Sequence, residues 1–147
     1  MARQRSVGAK PAVARRSEVV GELRVSAATR RAIRAGRVEK GDPVAAGELA
    51  GLLAMKRTPE LIPHCHAVRL TGSAVEVTVG PRSVRVRATA EAVDRTGVEM
   101  EALVGATVAL LTVWDMVKYL EKDGRGLYPG TSLGPIRVRA KTKGEEA

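Results

Sequence analysis

Residues 75–90 read Val-Glu-Val-Thr-Val-Gly-Pro-Arg-Ser-Val-Arg-Val-Arg-Ala-Thr-Ala, and this stretch decides the fold class. Apolar and polar side chains alternate on both sides of Gly80-Pro81-Arg82. Such alternation is typical of a strand that buries one face. Two strands of this kind, joined by a short Gly-Pro turn, predict an antiparallel hairpin.

Upstream of the hairpin, the sequence predicts one strand and two helical pieces. Residues 19–25 alternate in the same way as the hairpin. Ser26 is a suitable N-cap for a helix over residues 27–35. Asp42-Pro43 starts a second helix, because a capping carboxylate precedes a residue that suits the first helical turn.

The second helix is expected to run to about residue 57. Its glycines, Gly47 and Gly51, lie four residues apart on one side and suit the close approach of another backbone. We expect its apolar face to include Val44, Leu49, Leu52 and Leu53.

Downstream, residues 98–121 form the longest predicted helix and residues 136–140 alternate as a last strand. The resulting order of strand, helix in two pieces, strand, strand, helix and strand predicts a ferredoxin-like split βαβ fold of the α+β class. In this fold an antiparallel sheet carries helices on one face. We divide the chain into a basic N-terminal arm (1–16), a single domain (17–141) and a loose C-terminal tail (142–147).

Charge and cysteine content restrict the function classes. Residues 1–37 carry ten Arg or Lys against two Glu, which is +8 of the net charge of +9. A basic arm of this kind suits nucleic acid or a polyphosphate ligand, or it is a solvated tail. Phe is absent and only three aromatic residues are present, so stacking on single-stranded nucleic acid is not favoured. One cysteine fits the reducing cytoplasm, and the longest apolar run, residues 102–114, is too short to span a membrane.

Glu99 and Glu101 stand at the start of the longest predicted helix. Acidic residues in a first turn are favoured by the helix dipole, and spacing alone favours that structural interpretation. The functional interpretation is recognition of a ring edge with adjacent N–H donors, as in guanine or a pterin, because an ionised carboxylate only accepts hydrogen bonds.

Asp115 and Lys118 lie three residues apart on the same helix and so share a face. An exposed pair of this kind is an ordinary ion pair worth well under ~1 kcal/mol. The preceding run from Ala109 to Trp114 is mostly apolar and suggests burial. A partly buried pair has altered proton affinities and suits acid–base chemistry, so both interpretations stay open.

His64-Cys65-His66 follows a segment bounded by Pro59 and Pro63. Zinc sites use three or four protein ligands, and the chain has no other His or Cys, so a metal site is not favoured. A group of cationic side chains is suited to clamping phosphates if the fold brings it together, and otherwise consists of solvated charges. Its members are Lys40, Lys56, Arg57, Lys118 and Lys141.

Several of these segments resemble the molybdenum cofactor biosynthesis protein C (MoaC) family, the cyclic pyranopterin monophosphate synthases. The similarity covers roughly residues 17–141. The segments that carry it are Ala54-Met55-Lys56-Arg57-Thr58, Glu60-Leu61-Ile62-Pro63-His64-Cys65-His66, Thr96-Gly97-Val98-Glu99-Met100-Glu101-Ala102-Leu103 and Asp115-Met116-Val117-Lys118.

The resemblance implies a ferredoxin-like subunit that assembles through dimers into a hexamer with active sites at subunit interfaces. It implies conversion of 3′,8-cyclo-7,8-dihydroguanosine 5′-triphosphate to cyclic pyranopterin monophosphate with release of pyrophosphate. No tightly bound cofactor is implied, although Mg²⁺ can arrive with the triphosphate. Asp115 and Lys118 match the catalytic pair. The implied substrate-binding set is Lys40, Lys56, His64, Cys65, His66, Glu99, Met100, Glu101 and Lys141.

The sequence also departs from the family pattern. The N-terminal motif M-V-D-V-S-x-K is reduced to residues 5–10, and the C-terminal K-x-G-G-K-S-G is cut to residues 141–144. His64 stands where the family has Leu, Glu39 where it has His, and Arg95 where it has Lys. A second interpretation therefore stays open, a catalytically impaired member that binds a nucleotide or pterin, or that serves as a scaffold.

Overall fold

Four strands and four helices follow one another along residues 1–144, the part of the chain that the computed structural model describes. The elements are β1 (Val13–Arg24), α1 (Ala27–Arg34), α2 (Pro43–Lys56), α3 (Thr58–Leu61), β2 (Leu70–Val79), β3 (Val84–Asp94), α4 (Glu99–Glu121) and β4 (Ser132–Lys143).

The four strands form one sheet in the order β2-β3-β1-β4, and all neighbouring strands are antiparallel. α2 and α4 pack against each other and against one face of the sheet. This arrangement confirms the predicted ferredoxin-like α+β fold. The predicted hairpin is β2 and β3, and its alternation holds because even-numbered residues of β3 from Val84 to Ala92 are buried while most odd-numbered ones are exposed.

The two predicted helix starts are confirmed in detail. The Ser26 hydroxyl accepts the N–H of Thr29 at 3.1 Å. The Asp42 carboxylate accepts the N–H groups of Val44 and Ala45 at 2.9 and 3.2 Å. These bonds satisfy backbone donors that have no partner inside the helix.

The outer ends of the sheet differ from the expectation. β1 begins at Val13, so residues 13–16 belong to the sheet rather than to the arm. β4 continues to Lys143, where Lys143 lies opposite Arg15. These ends lack the apolar alternation that predicts a strand from sequence. They belong to the sheet because their backbones pair with neighbouring strands. Residues 145–147 of the predicted tail lie outside the described part of the chain.

The predicted apolar face of α2 is wrong at Leu49 and Leu53, whereas Val44 packs against the core as predicted. Leu49 and Leu53 are 62% and 51% exposed, whereas the buried residues are Pro43, Gly47, Gly51, Ala54 and Met55. The small residues face inward because α4 approaches very closely. A Cβ added at Gly51 would lie 2.7 Å from the Gly105 carbonyl oxygen. The predicted close approach at Gly47 and Gly51 is therefore confirmed, and it turns the leucines outward.

Replacing Gly51 by Ala should lower the free energy of unfolding by about 2 kcal/mol, because the new methyl group meets backbone that cannot move aside. Urea denaturation measures this change. Gly124→Ala is the matched control, since a Cβ at Gly124 meets no atom within 4 Å, and its effect should stay within about 0.5 kcal/mol. Equal stability of the two variants would contradict the close packing of α2 on α4.

α4 is long and apolar enough to span a membrane by length and composition alone. The helix is apolar because one side of it is buried in the core. Ala102, Ala106, Leu110 and Val117 are fully buried, and the helix packs on all four strands and on α2. α4 is thus the central helix of the core, and it also carries several of the candidate site residues.

Candidate functional site

Asp115, Lys118 and Lys40 form one cluster near the C-terminal end of α4. The Lys118 ammonium lies 3.0 Å from Asp115 Oδ1. The Lys40 ammonium lies 3.0 Å from Asp115 Oδ2 and 3.0 Å from the Asp115 carbonyl oxygen. The structure therefore brings the predicted catalytic pair together with one of the predicted substrate-binding lysines.

The expectation that Asp115 is buried is wrong, because 58% of its side chain is exposed. Val113 and Val117 face the core. Successive helical residues turn by about 100°, so Asp115, two residues from each of them, points outward. The hydrogen bond from Lys118 lowers the pKa of Asp115, and the bond from Lys40 lowers it further. The same contact with Asp115 raises the pKa of Lys118. The cluster is thus one carboxylate that accepts hydrogen bonds from two lysine side chains.

A second cluster lies at the N-terminal end of α4. The Glu101 side chain is buried with only 3% exposure. Glu99 is half-buried and lies 3.2 Å from the Lys141 ammonium. Burial raises the pKa of Glu101, and the negative charges of Glu99 and Asp94 raise it further. Burial and the Glu101 charge raise the pKa of the Cys65 thiol, so Cys65 lies beside this cluster as a neutral thiol.

The stability of the folded chain should fall as Glu101 ionises. A carboxyl whose pKa is raised by folding binds its proton more tightly in the folded state, so the free energy of unfolding falls as pH rises from the ordinary glutamate pKa through the raised one. Glu101→Gln should remove this loss and add about 1 kcal/mol near pH 7. Urea unfolding across the pH range measures it. A variant with the parent's pH slope would contradict the assignment.

Lys141 reaches Glu99 because of an irregularity in β4. The register of β1 with β4 shifts between Glu18 and Val19, which face Ala140 and Val138, so Arg139 is an extra residue. Opposed residues of antiparallel strands point to the same face. Lys141 lies opposite the buried Ser17 and therefore on the helix-covered side. A bulge of this kind re-aims the side chains that follow it.

The segment around His64-Cys65-His66 is held by the N-terminal residues. The Gln4 amide donates to the Cys65 carbonyl oxygen at 2.7 Å, and His66 Nε2 lies 2.7 Å from the Arg5 carbonyl oxygen. The His64 side chain is exposed. Within residues 1–144, no group of three or more His, Cys, Asp or Glu side chains is arranged to hold a metal ion.

Two predicted substrate-binding residues lie apart from these contacts. Lys56 is exposed at the end of α2 and lines a separate cleft of about 340 Å³ with residues 68 and 70–73. Met100 is 38% exposed on the first turn of α4. Neither residue has a side-chain hydrogen bond among those found in the described residues, so the structure leaves both available to a ligand.

A basic cleft of about 310 Å³ is a feature that the sequence did not reveal. It is lined by Lys10, Pro11, Arg15, Arg95, Thr96, Gly97 and Lys143. The Thr96 hydroxyl is buried without a hydrogen-bond partner. An adjoining cleft of about 140 Å³ shares three of these residues and reaches Glu99 and Lys141. The strand register sets Arg15 opposite Lys143 and so brings two of these charges together.

The two clusters are not joined within one chain. Glu101 and Asp115 are fourteen positions apart on one continuous helix, and a rise of 1.5 Å per residue separates them by about 21 Å. The predicted acid–base pair is therefore at one end of α4, and the predicted ring-edge acceptors are at the other end.

Comparison with known proteins shows the family of this chain. Residues 4–144 match the MoaC family. The chain is 48% identical to a probable cyclic pyranopterin monophosphate synthase of Thermococcus kodakarensis, over 95% of this chain and 90% of the relative. The corresponding proteins of Methanosarcina acetivorans and Pyrococcus furiosus are 48% and 45% identical, over 97% and 96% of this chain and 90% of each relative. With the family match extending over nearly all of its length, the chain belongs to the MoaC family.

Proposed function

We propose that this chain is a cyclic pyranopterin monophosphate synthase of molybdenum cofactor biosynthesis. It converts 3′,8-cyclo-7,8-dihydroguanosine 5′-triphosphate to cyclic pyranopterin monophosphate and pyrophosphate. The observation that carries the proposal is the contact of Asp115 with both Lys118 and Lys40 in a chain of this family.

The Asp115 cluster supplies the proton transfers. Ring opening and pyrazine formation require protons to leave and arrive at nitrogen and oxygen atoms, which suits a carboxylate acceptor beside ammonium donors. Closure of the cyclic phosphate joins a substrate hydroxyl oxygen to the α-phosphorus and breaks the bond from that phosphorus to the bridging oxygen. The pyrophosphate leaves with the bonding electrons, and we assign the stabilisation of its charge to the cations that bind the triphosphate.

The cluster at the other end of α4 recognises the substrate. Glu99 and Glu101 accept hydrogen bonds from the guanine-derived ring edge, and we place Met100, Cys65 and His66 beside the ring, with His64 at the margin. We assign the triphosphate to Lys141 and to the basic cleft with Arg15 and Lys143. Four cations in that cleft support this assignment. Lys56 lies on the phosphate side of the site.

The working site takes its two halves from two copies of the chain. The separation of about 21 Å along α4 supports this, since one nucleotide cannot engage both clusters of one chain closely. The exposed Leu49 and Leu53 of α2 and Leu111 of α4 support it as well, because apolar side chains of this size favour a partner surface. We extend the proposal to a dimer-based hexamer in the cytoplasm.

No resident cofactor is part of the proposal, and Mg²⁺ enters with the triphosphate if the reaction uses it. Nucleic acid is not proposed as a partner. Several of the N-terminal cations are held within the chain: Arg16 contacts Glu18 and Glu91, and Arg30 and Arg34 donate to main-chain carbonyl groups.

The experiment that tests the function is incubation of the purified protein with the cyclised dihydroguanosine triphosphate. Synthase activity gives one pyrophosphate per substrate and a product that becomes fluorescent on oxidation. The alternative, a family member without turnover, gives ligand binding in calorimetry and no pyrophosphate. The altered residues at 5–10 and 141–144 favour that alternative, and the intact Asp115 cluster favours the synthase.

A further inference from the structure

Tyr119 makes a contact that the proposed reaction does not yet use. Its hydroxyl oxygen accepts the main-chain N–H of Glu39 at 2.9 Å. Tyr119 follows Asp115 by four residues on α4 and so lies one turn further along the same side of the helix. The contact joins α4 to the segment between α1 and α2, which lies far from α4 in sequence.

The connection that Tyr119 holds is the one that carries Lys40. Residues 38–41 form a tight turn in which the Gly41 N–H donates to the Val38 carbonyl oxygen at 3.1 Å. Val38 is buried, and Gly41 has a φ of +106°, a conformation that favours glycine. The buried Val38 anchors the start of the turn. Tyr119 anchors its middle, at the N–H of Glu39, the residue before Lys40.

An anchor at this position matters because the Lys40 side chain cannot hold its own geometry. The ammonium bridges the carboxylate and the carbonyl oxygen of Asp115, but 46% of the Lys40 side chain and 58% of the Asp115 side chain are exposed. Exposed pairs of flexible side chains gain little from attraction alone. A fixed backbone at residues 39 and 40 removes part of the ordering cost of the contact.

We propose that Tyr119 is a positioning residue for the reaction: its hydroxyl oxygen holds the Glu39–Lys40 turn so that the Lys40 ammonium stays on Asp115. The expected effect of Tyr119 on catalysis rests on the proposed function. Its expected effect on Asp115 rests on the geometry alone. Two cations face the Asp115 carboxylate, Lys118 from α4 and Lys40 from the turn. Tyr119 controls the second of them without touching the reacting groups.

The test is Tyr119→Phe, which keeps the ring and removes the acceptor. Carboxyl-carbon NMR titration of the free protein should show the pKa of Asp115 rising toward its ordinary value, because one of its two ammonium partners is loosened. In the pyrophosphate assay kcat should fall about five- to tenfold with little change in KM, as expected for the loss of one orienting hydrogen bond. The acid limb of the pH–rate profile should move to higher pH.

Ser83→Ala is the control for general loss of a hydrogen bond, since it removes the 2.7 Å bond to Glu22 far from the cluster. It should leave the Asp115 titration and kcat unchanged. A Tyr119→Phe protein with the parent's Asp115 pKa overturns the inference whether or not the enzyme turns over. An inactive parent protein whose Asp115 titration still shifts in Tyr119→Phe contradicts the proposed function and supports the positioning contact.

Discussion

Asp115→Asn should lower kcat by about 10²- to 10⁴-fold, the range that removal of a general acid or base produces. The amide cannot take up a proton, and it gives Lys40 and Lys118 no negative charge to hold them. Lys118→Ala should have a loss of the same order, because residues that act as a unit lose most of their effect when either is removed. Steady-state release of pyrophosphate measures both.

Asp115→Asn should leave the stability of the folded chain almost unchanged. Asp115 is an exposed carboxylate, and its pairs with lysine contribute little to stability. Urea unfolding should therefore give a midpoint close to that of the parent protein. Glu76→Gln is the matched control, since Glu76 is half-exposed and paired with Arg87 on the other face of the sheet. Its turnover should equal that of the parent. Near-parental turnover by Asp115→Asn would refute the assigned role.

The parts of the fold that depend on neighbours in sequence could be predicted from the sequence. The alternation around Gly80-Pro81-Arg82 and the caps at Ser26 and Asp42 are local effects, and the structure has all of them. The face of α2 could not be predicted from hydrophobicity. Its glycines face inward because their lack of a side chain lets α4 approach, and that contact depends on a helix about 55 residues further along the chain.

The same distinction applies to the candidate site, where some contacts follow from sequence spacing and others depend on the tertiary fold. Asp115 and Lys118 are three residues apart on a helix, so their contact follows from spacing. The contact of Lys40 with Asp115 depends on a turn and on Tyr119. The face on which Lys141 lies depends on one extra residue in β4, because simple alternation would place it with Arg137 and Arg139.

The separation of the two clusters could have been predicted, since it needs only the helix length. The sequence presents Glu101 and Asp115 as parts of one site, but a straight helix keeps them about 21 Å apart. Glu101 and Asp115 can therefore act in one site only if different copies of the chain supply them.

Two inactive variants should therefore restore activity when they share an oligomer. We expect Asp115→Asn and Glu101→Gln each to lack turnover, the first for want of a proton acceptor and the second because an amide cannot replace an acceptor-only carboxylate at the ring edge. After the two are mixed, unfolded and refolded together, or co-expressed with different tags, mixed dimers contain one site with both intact residues. Random pairing restores about a quarter of the parent activity in a two-fold assembly.

The control that makes this decisive is a mixture of Asp115→Asn with Lys118→Ala. Both changes lie in the same cluster, so every shared site in a mixed oligomer still contains one damaged copy of that cluster. This mixture should stay inactive, although its subunits exchange just as freely. Light scattering should give a mass of at least two chains for each protein. If the first mixture stays inactive while tagged subunits are shown to have exchanged, each site lies within one chain and the two-copy arrangement is wrong.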